Sequence, residues 1–253
     1  MMSQQRKSTA LVTGASAGLG LEFCRQLAER CDVIIAVARR RERLLALVTE
    51  LSGQAEVHVV EGDLCTMEGV ARTLEALRQK GPVDYLVNNA GFSTFGHFAD
   101  LPIDRQRDMV SLHADASITL CRAAVPFMRE NGGGHIINVS SLGAFVPGKG
   151  LAVYGATKAF LNYFSQSLQQ ELEGTGIEVQ ALCPGYVRSE FHDDMVSQGF
   201  DRDRIPPDMW IEATDVVSAS LAALGSGRVL VVPGERFREL AAMGLRAQLA
   251  ALE

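Results

Sequence analysis

Residues 8–28, STALVTGASAGLGLEFCRQLA, decide the fold. Ser8 to Thr13 is a short β-rich run that stops at glycines, after which Leu21, Phe23, Cys24, Leu27 and Ala28 recur at helical spacing. Strand, glycine turn and helix in that order let backbone N–H groups and a helix N-terminus face an anion such as a pyrophosphate. The turn itself reads Thr13-Gly14-Ala-Ser16-Ala-Gly18-Leu19-Gly20. Its spacing is Gly-x-x-x-Gly-x-Gly, not the commoner Gly-x-Gly-x-x-Gly. Glycine allows the positive φ and close backbone approach that a side chain would block. With both flanks in place, nucleotide binding is the reading that accounts for all three parts.

The pattern then repeats outward. Asp32 to Ala38 is a second strand ending in Arg39-Arg40-Arg41. Sites for NAD place an acid near this strand end to bond the ribose 2′-hydroxyl. Here Ala38 is followed by cations, and a guanidinium suits a 2′-phosphate. Arg39, with Arg40 after it, therefore favours NADP(H) over NAD(H), while Arg41 and Arg43 read as the start of an exposed helix. A third strand, Glu56 to Val60, runs into Glu61-Gly62-Asp63-Leu64, and a helix follows through Val70, Leu74 and Leu77. The fourth, Val83 to Val87, enters Asn88-Asn89-Ala90-Gly91. His135 to Asn138, Ile177 to Cys183 and Val229 to Val232 supply three more. Alternating β and α with short connections predict an α/β fold: a doubly wound parallel sheet of about seven strands, helices on both faces, right-handed crossovers. One domain spans 1–253.

Asp104 opens a long helix, which Pro126 is expected to kink or stop and Asn131-Gly-Gly-Gly134 to close. Leu151 to Glu173 is another, and Asp215 to Leu224 and Arg236 to Leu252 are the last two. The two long helices carry more apolar surface than one sheet covers, which implies a wide buried face or a subunit interface. Gly185 to Thr214 has no simple periodicity; so long a connection reads as a lid over a site.

Composition narrows the function. The 253 residues are 47% hydrophobic, enough for one sizeable core, and carry a net charge of -6 with Lys and Arg scattered. Nothing there marks a nucleic-acid partner. No apolar stretch approaches the ~18 residues of a membrane span, and the polar Met1 to Lys7 reads as neither signal peptide nor anchor. Cys24, Cys31, Cys65, Cys121 and Cys183 are widely spread with no Cys-x-x-Cys pair, so neither a metal site nor a disulfide framework is expected. A cytoplasmic setting follows.

Chemistry concentrates between Ser141 and Lys158. Tyr154 and Lys158 lie four apart on a helix and share a face. Ser141 ends the apolar run that precedes them. A strand end meeting a helix start brings together a hydroxyl, a phenol and an ammonium. A cation within a few ångströms favours phenolate and is expected to move the phenol from its usual pKa, near ~10, toward working pH. On its own, a Tyr-x-x-x-Lys pair is an ordinary pair of helical neighbours.

Taken together, Thr13-Gly14-x-x-x-Gly18-x-Gly20, Asp63-Leu64, Asn88-Asn89-Ala90-Gly91, Ser141, Tyr154-x-x-x-Lys158 and Pro184-Gly185 resemble the single-domain short-chain dehydrogenase/reductase family, a Rossmann-like fold. The likeness runs from Ala10 to Gly234. The family's serine stands thirteen residues ahead of its tyrosine, which selects Ser141 over Ser140. By resemblance, Tyr154 is the acid of carbonyl reduction and the base of alcohol oxidation. Lys158 tunes it and holds the nicotinamide ribose, and Ser141 bonds the substrate oxygen. Gly14, Ser16, Gly18, Leu19 and Gly20 line the pyrophosphate turn, and Arg39 and Arg40 meet the 2′-phosphate. Asp63 and Leu64 lie by the adenine, Asn89 and Gly91 by the adjoining ribose. Pro184, Gly185, Val187 and Ser189 border the nicotinamide, with Ser189 where the family often has threonine. One position departs: where the family commonly places an asparagine that positions a water, this chain has His113. An imidazole can also bond a water, so His113 is expected to take that role, with inert packing as the alternative.

The resemblance implies an NADP(H)-dependent reductase of a ketone or aldehyde, or the reverse alcohol dehydrogenase, working as a homodimer or homotetramer. Ser93 to Phe98, Leu142 to Val146 and the segment after Gly185 are candidate pocket walls. Their phenylalanines and valine suggest a largely apolar small-molecule substrate, unless they pack the core. His97 and His192 read as lone surface histidines, or as partners for a polar substrate group. A catalytically silent NADP(H)-binding sensor or scaffold is the rival, favoured only by His113.

Overall fold

β1 (Thr9–Thr13) lies at the centre of the molecule, flanked by β2 (Val33–Ala38) on one side and, after β3 (Glu56–Glu61), by β4 (Tyr85–Asn88) on the other. β5 (Gly134–Val139) and β6 (Ile177–Leu182) extend the sheet beyond β4. β7 (Tyr186–Val187) and β8 (Trp210–Ile211) form a separate parallel pair, and β9 (Leu230–Val231) closes the main sheet. The seven-stranded order is β3-β2-β1-β4-β5-β6-β9, parallel throughout. This computed structural model describes residues 6–252; the rest of the 1–253 span, and most of the polar N-terminal stretch, lie outside the described residues.

The helices are α1 (Gly18–Ala28), α2 (Arg41–Glu50), α3 (Met67–Lys80), α4 (Ile103–Val110), α5 (Ala116–Glu130), α6 (Ala152–Glu171), α7 (Asp193–Val196), α8 (Ala213–Ala223) and α9 (Glu235–Ala250). Strand alternation sorts them into two layers. Ala10 and Val12 of β1, with Ile34 and Ala36 of β2, face Phe23, Leu27, Leu44, Val216 and Leu221 from α1, α2 and α8. Leu11, Val33, Ile35 and Val37 face the other way, onto Leu77, Leu120, Ala124 and Met128 from α3 and α5. A sheet covered on both faces needs apolar residues at consecutive positions, which is why β1 and β2 are buried along their whole length.

Pro126 does not stop its helix: it sits inside α5, which continues to Glu130. The interruption comes earlier, at a π turn over Ser111–Asp115, where the Ala116 N–H reaches back five residues to the Ser111 carbonyl. A proline removes one donor, but the neighbouring turns keep theirs. The long segment after Gly185 is not featureless either, since Tyr186 and Val187 pair with Trp210 and Ile211 across it. Among the described residues, no helix is long and apolar enough to cross a membrane.

The chain reverses direction across the sheet between β1 and β4. Open α/β sheets bind ligands at the carboxyl ends of the strands at such a switch point. The glycine turn after β1 and Asn89 to Gly91 after β4 both lie there.

Candidate active site

The two strand ends are bolted together by Thr13. Its hydroxyl donates to the Val87 carbonyl (3.2 Å) and accepts the N–H groups of Asn89 (2.9 Å) and Ala90 (3.0 Å). Asn89 returns a bond from Nδ2 to the Thr13 carbonyl at 2.8 Å. This close approach is what the glycines permit. Gly14 has φ +69°, and a Cβ there would sit 2.6 Å from Asn89 Nδ2. Gly18 has φ +54° and faces Ser189, whose Cβ would lie 3.3 Å from an added methyl. α1 begins at Gly18 with Ala17 as its N-cap, no side chain capping it and no acid in its first turn. First-turn N–H groups without a side-chain partner, at the positive end of a helix, fit an anion such as a pyrophosphate. Leu19 and Gly20 belong to that turn.

The arginines are arranged differently from expectation. Arg39 is exposed, and its nearest acid is Asp63 at 3.9 Å. Asp63 itself accepts the Cys65 N–H at 3.0 Å, and Leu64 is buried in the apolar layer. Arg40 turns inward: Nε and Nη2 donate to Ser16 Oγ (3.2 and 3.1 Å), and Nη1 donates to Glu190 at 2.8 Å. Arg43, read from sequence as the start of an exposed helix, joins it by donating to the other Glu190 oxygen at 2.6 Å. The two guanidiniums, Arg40 first, hold the Glu190 carboxyl below its ordinary pKa. Spacing of three on one helix face was the available signal for Arg43; Glu190 carried none.

Ser141 caps the short turn at Leu142–Ala144, its Oγ accepting the Gly143 N–H at 3.0 Å. Tyr154 leaves the first turn of α6 and faces Ser141. The tyrosine is half-buried. Burial pushes the phenol up to about 12, and the Ser141 hydroxyl pulls the other way. Lys158 is 3% exposed. Its Nζ donates to the Val139 carbonyl at 2.8 Å and stands 5.7 Å from the Tyr154 ring centre. Burial brings its pKa down to about 7. The expectation that the ammonium makes the phenol acidic is therefore corrected for the cofactor-free protein. Desolvation raises one group and lowers the other, as it must for an acid that ionises to an anion and a base that carries a cation.

His113 lies inside the π turn, 1% exposed. Thr157 donates its hydroxyl hydrogen to the Tyr154 carbonyl at 2.8 Å, so its oxygen accepts from His113 Nδ1 at 2.9 Å. Nε2 is thereby the acceptor, and it takes the Phe92 N–H at 3.3 Å. Burial first, and then the Lys158 charge, keep the ring well below its ordinary pKa. Both nitrogens are engaged by protein, an arrangement that favours the packing alternative over the water-holding role. His113 instead ties the loop after β4 to α6. Gly91 makes room, since a Cβ there would fall 2.7 Å from Nε2.

The far wall is the segment after β6. The Pro184 carbonyl accepts the Leu142 N–H at 2.8 Å, and Gly185 packs against Phe237 with no space for a side chain. Val187 is buried in β7, and Ser189 Oγ accepts the Phe191 N–H at 3.3 Å. His192 is no surface residue: it is buried among Tyr186, Phe191, Phe200 and Trp210, and desolvation brings it down to about 4. Of the candidate pocket walls, Phe145 packs into a small core with Ala181, Cys183 and Ala241. Phe98 and Val146 are exposed.

A family model described as short chain dehydrogenase matches residues 8–198. An uncharacterized oxidoreductase of Myxococcus xanthus (strain DK1622) is 37% identical over 191 residues, covering 75% of this chain and 76% of the relative. One from Staphylococcus epidermidis (strain RP62A) is 33% identical over 187 residues, covering 74% and 80%. Among solved structures, a short-chain dehydrogenase from Sphingobium yanoikuyae in complex with NADPH superposes with a TM-score of 0.84 at 31% identity, covering 96% of this chain and 95% of that one. The bulky-bulky ketone specific alcohol dehydrogenase from Comamonas testosteroni gives 0.79 at 29% identity, covering 96% and 94%.

Proposed function

The chain belongs to the short-chain dehydrogenase family, and from that premise we propose an NADP(H)-dependent oxidoreductase. It reduces a ketone or aldehyde of a largely apolar small molecule, or oxidises the matching secondary alcohol. One observation carries this reading: the Tyr154 side chain and the Ser141 hydroxyl lie together beside Gly143 beyond the carboxyl end of β5, with Lys158 one turn further along the same helix. The names of two structural neighbours, one in complex with NADPH and one ketone-specific, support it.

The nicotinamide, when bound, supplies or accepts the hydride. Everything else is the work of this chain. Gly14, Ser16, Gly18, Leu19 and Gly20 would hold the pyrophosphate, with Arg40 and Arg39 toward a 2′-phosphate. Asp63 and Leu64 would border the adenine, Asn89 and Gly91 the ribose. Pro184, Gly185, Val187 and Ser189 would border the nicotinamide, and Lys158 its ribose hydroxyls. Ser141 Oγ accepts from Gly143, which leaves its own hydrogen free to donate to a substrate oxygen. Tyr154 gives its proton to that oxygen in reduction and takes it back in oxidation. A phenol pushed up to about 12 is protonated at neutral pH, the form that reduction needs. His113 positions α6 against the loop after β4 and exchanges no proton.

A homodimer or homotetramer in the cytoplasm belongs to the same proposal. Val110, Ile118 and Tyr163 are exposed on α4, α5 and α6, apolar surface that a second copy would cover. The five cysteines are unbridged, as a reducing compartment keeps them. The test of the enzyme is NADPH consumption with a panel of apolar ketones and aldehydes. Turnover supports the reading. NADPH binding without turnover across the panel supports the silent sensor instead.

A further inference from the structure

Glu190 joins three parts of the chain at one point. Its two carboxylate oxygens accept separately from Arg40 (2.8 Å) and Arg43 (2.6 Å), which lie at the start of α2. Arg40 simultaneously bonds Ser16 in the glycine turn. The residue before it, Ser189, packs over Gly18. A carboxylate from the lid thus neutralises the arginines beside the turn that fits a pyrophosphate. Two guanidiniums against one carboxylate leave a positive charge over, and a phosphate dianion matches the pair better than Glu190 does.

We propose that Glu190 is a cofactor-specificity residue: its carboxylate occupies the guanidiniums that a 2′-phosphate takes, so NADP(H) must displace it and thereby unlatch the lid from the glycine turn. The inference rests on the NADP(H) reading of the site and adds a competitor to it. Glu190 and both arginines are about half exposed, so the competition is modest. Exposed ion pairs are worth little, equivalent to roughly two- to fivefold in affinity. The effect should also discriminate, because NAD(H) brings no 2′-phosphate to the same donors.

Glu190→Gln keeps the shape, removes the charge, and lies on the surface where folding tolerates it. Binding of NADP+ and NAD+ to wild type and variant is measured alongside emission from Trp210, the single tryptophan. That residue pairs with Tyr186, three residues before Ser189. The expected result is NADP+ affinity raised about two- to fivefold, the NADP+/NAD+ preference raised by a similar factor, and the cofactor-free emission of the variant shifted toward that of the NADP+-bound wild type. Unchanged or weakened NADP+ binding in the variant overturns the proposal, since the carboxylate would then be idle or closing over the bound cofactor. Failure of the underlying cofactor reading looks different. Wild type would bind NAD+ more tightly than NADP+, and an Arg39→Ala, Arg40→Ala, Arg43→Ala triple variant would leave NADP+ binding unchanged; that outcome overturns both.

Discussion

At the scale of single residues the site is governed by desolvation more than by its charges. Tyr154 and Lys158 are helical neighbours of complementary charge, yet burial drives the phenol up to about 12 and the amine down to about 7. Each is thereby left in its neutral form more than in water. Tyr154→Phe removes the phenolic proton while keeping the ring, so turnover is expected to fall by roughly 10²–10⁴ with NADPH binding intact. Steady-state reduction of the ketone panel and a cofactor titration measure the two halves; retention of most of the rate would remove Tyr154 from the chemistry. His113 makes the opposite prediction. Its two ring nitrogens are committed to Thr157 and Phe92 and its ring stays neutral. Asparagine can replace either bond, so His113→Asn should keep the reductase rate within about tenfold. The pH profile should also keep its shape. A loss of several hundredfold, or a missing limb of the profile, would show the imidazole doing chemistry of its own.

Elements place these residues by how closely their backbones approach. A Cβ on Gly20 would overlap the Gly14 carbonyl and the Asn89 side chain, at the contact where β1, α1 and the end of β4 meet. Gly20→Ala is therefore expected to cost about 1–3 kcal/mol by overpacking and to abolish dinucleotide binding, read from urea unfolding and a cofactor titration. A variant of wild-type stability that still binds would mean the turn is looser than the contacts imply. The β1–α1 part of this junction was legible in the sequence because it is local: strand, glycines and helix follow one another within some twenty residues. The seven-stranded sheet was legible for the same reason, each strand announcing itself by a short apolar run between turns. What depends on contact between distant segments was not. Arg43 became a partner of Arg40 only through Glu190, nearly 150 residues on. His192 looked like a surface residue until Tyr186, Phe200 and Trp210 closed around it. The proline at 126 was a local signal that misled, because α5 continues across it. Nothing in the composition of Ser111–Asp115 marks the π turn that seats His113.

For the molecule as a whole, a buried amine ties folding to pH. Lys158 titrates near 10.5 in an unfolded chain and at about 7 in the folded, cofactor-free protein. Between those values the unfolded chain holds more protons, so stability rises with pH across the window. The full penalty is present below pH 7 and has largely gone by pH 10.5. His113 adds in the same sense at lower pH, because the folded ring resists the proton that an unfolded imidazole takes near 6.5. Tyr154 opposes above pH 10, where the unfolded phenol ionises and the folded one does not. Lys158→Met isolates the amine's share, since it fills the same space without a charge. It forgoes the bond to the Val139 carbonyl, a loss of about 1 kcal/mol at every pH. It also removes a charge-burial cost on the order of 5 kcal/mol at pH 6 that has shrunk to below about 1 kcal/mol by pH 10. The Met variant should therefore be more stable than wild type at pH 6 and equal or less stable at pH 10, in urea unfolding of both cofactor-free proteins. A stability difference that stays constant with pH would show that Lys158 remains charged inside the fold, held by partners stronger than the Val139 carbonyl.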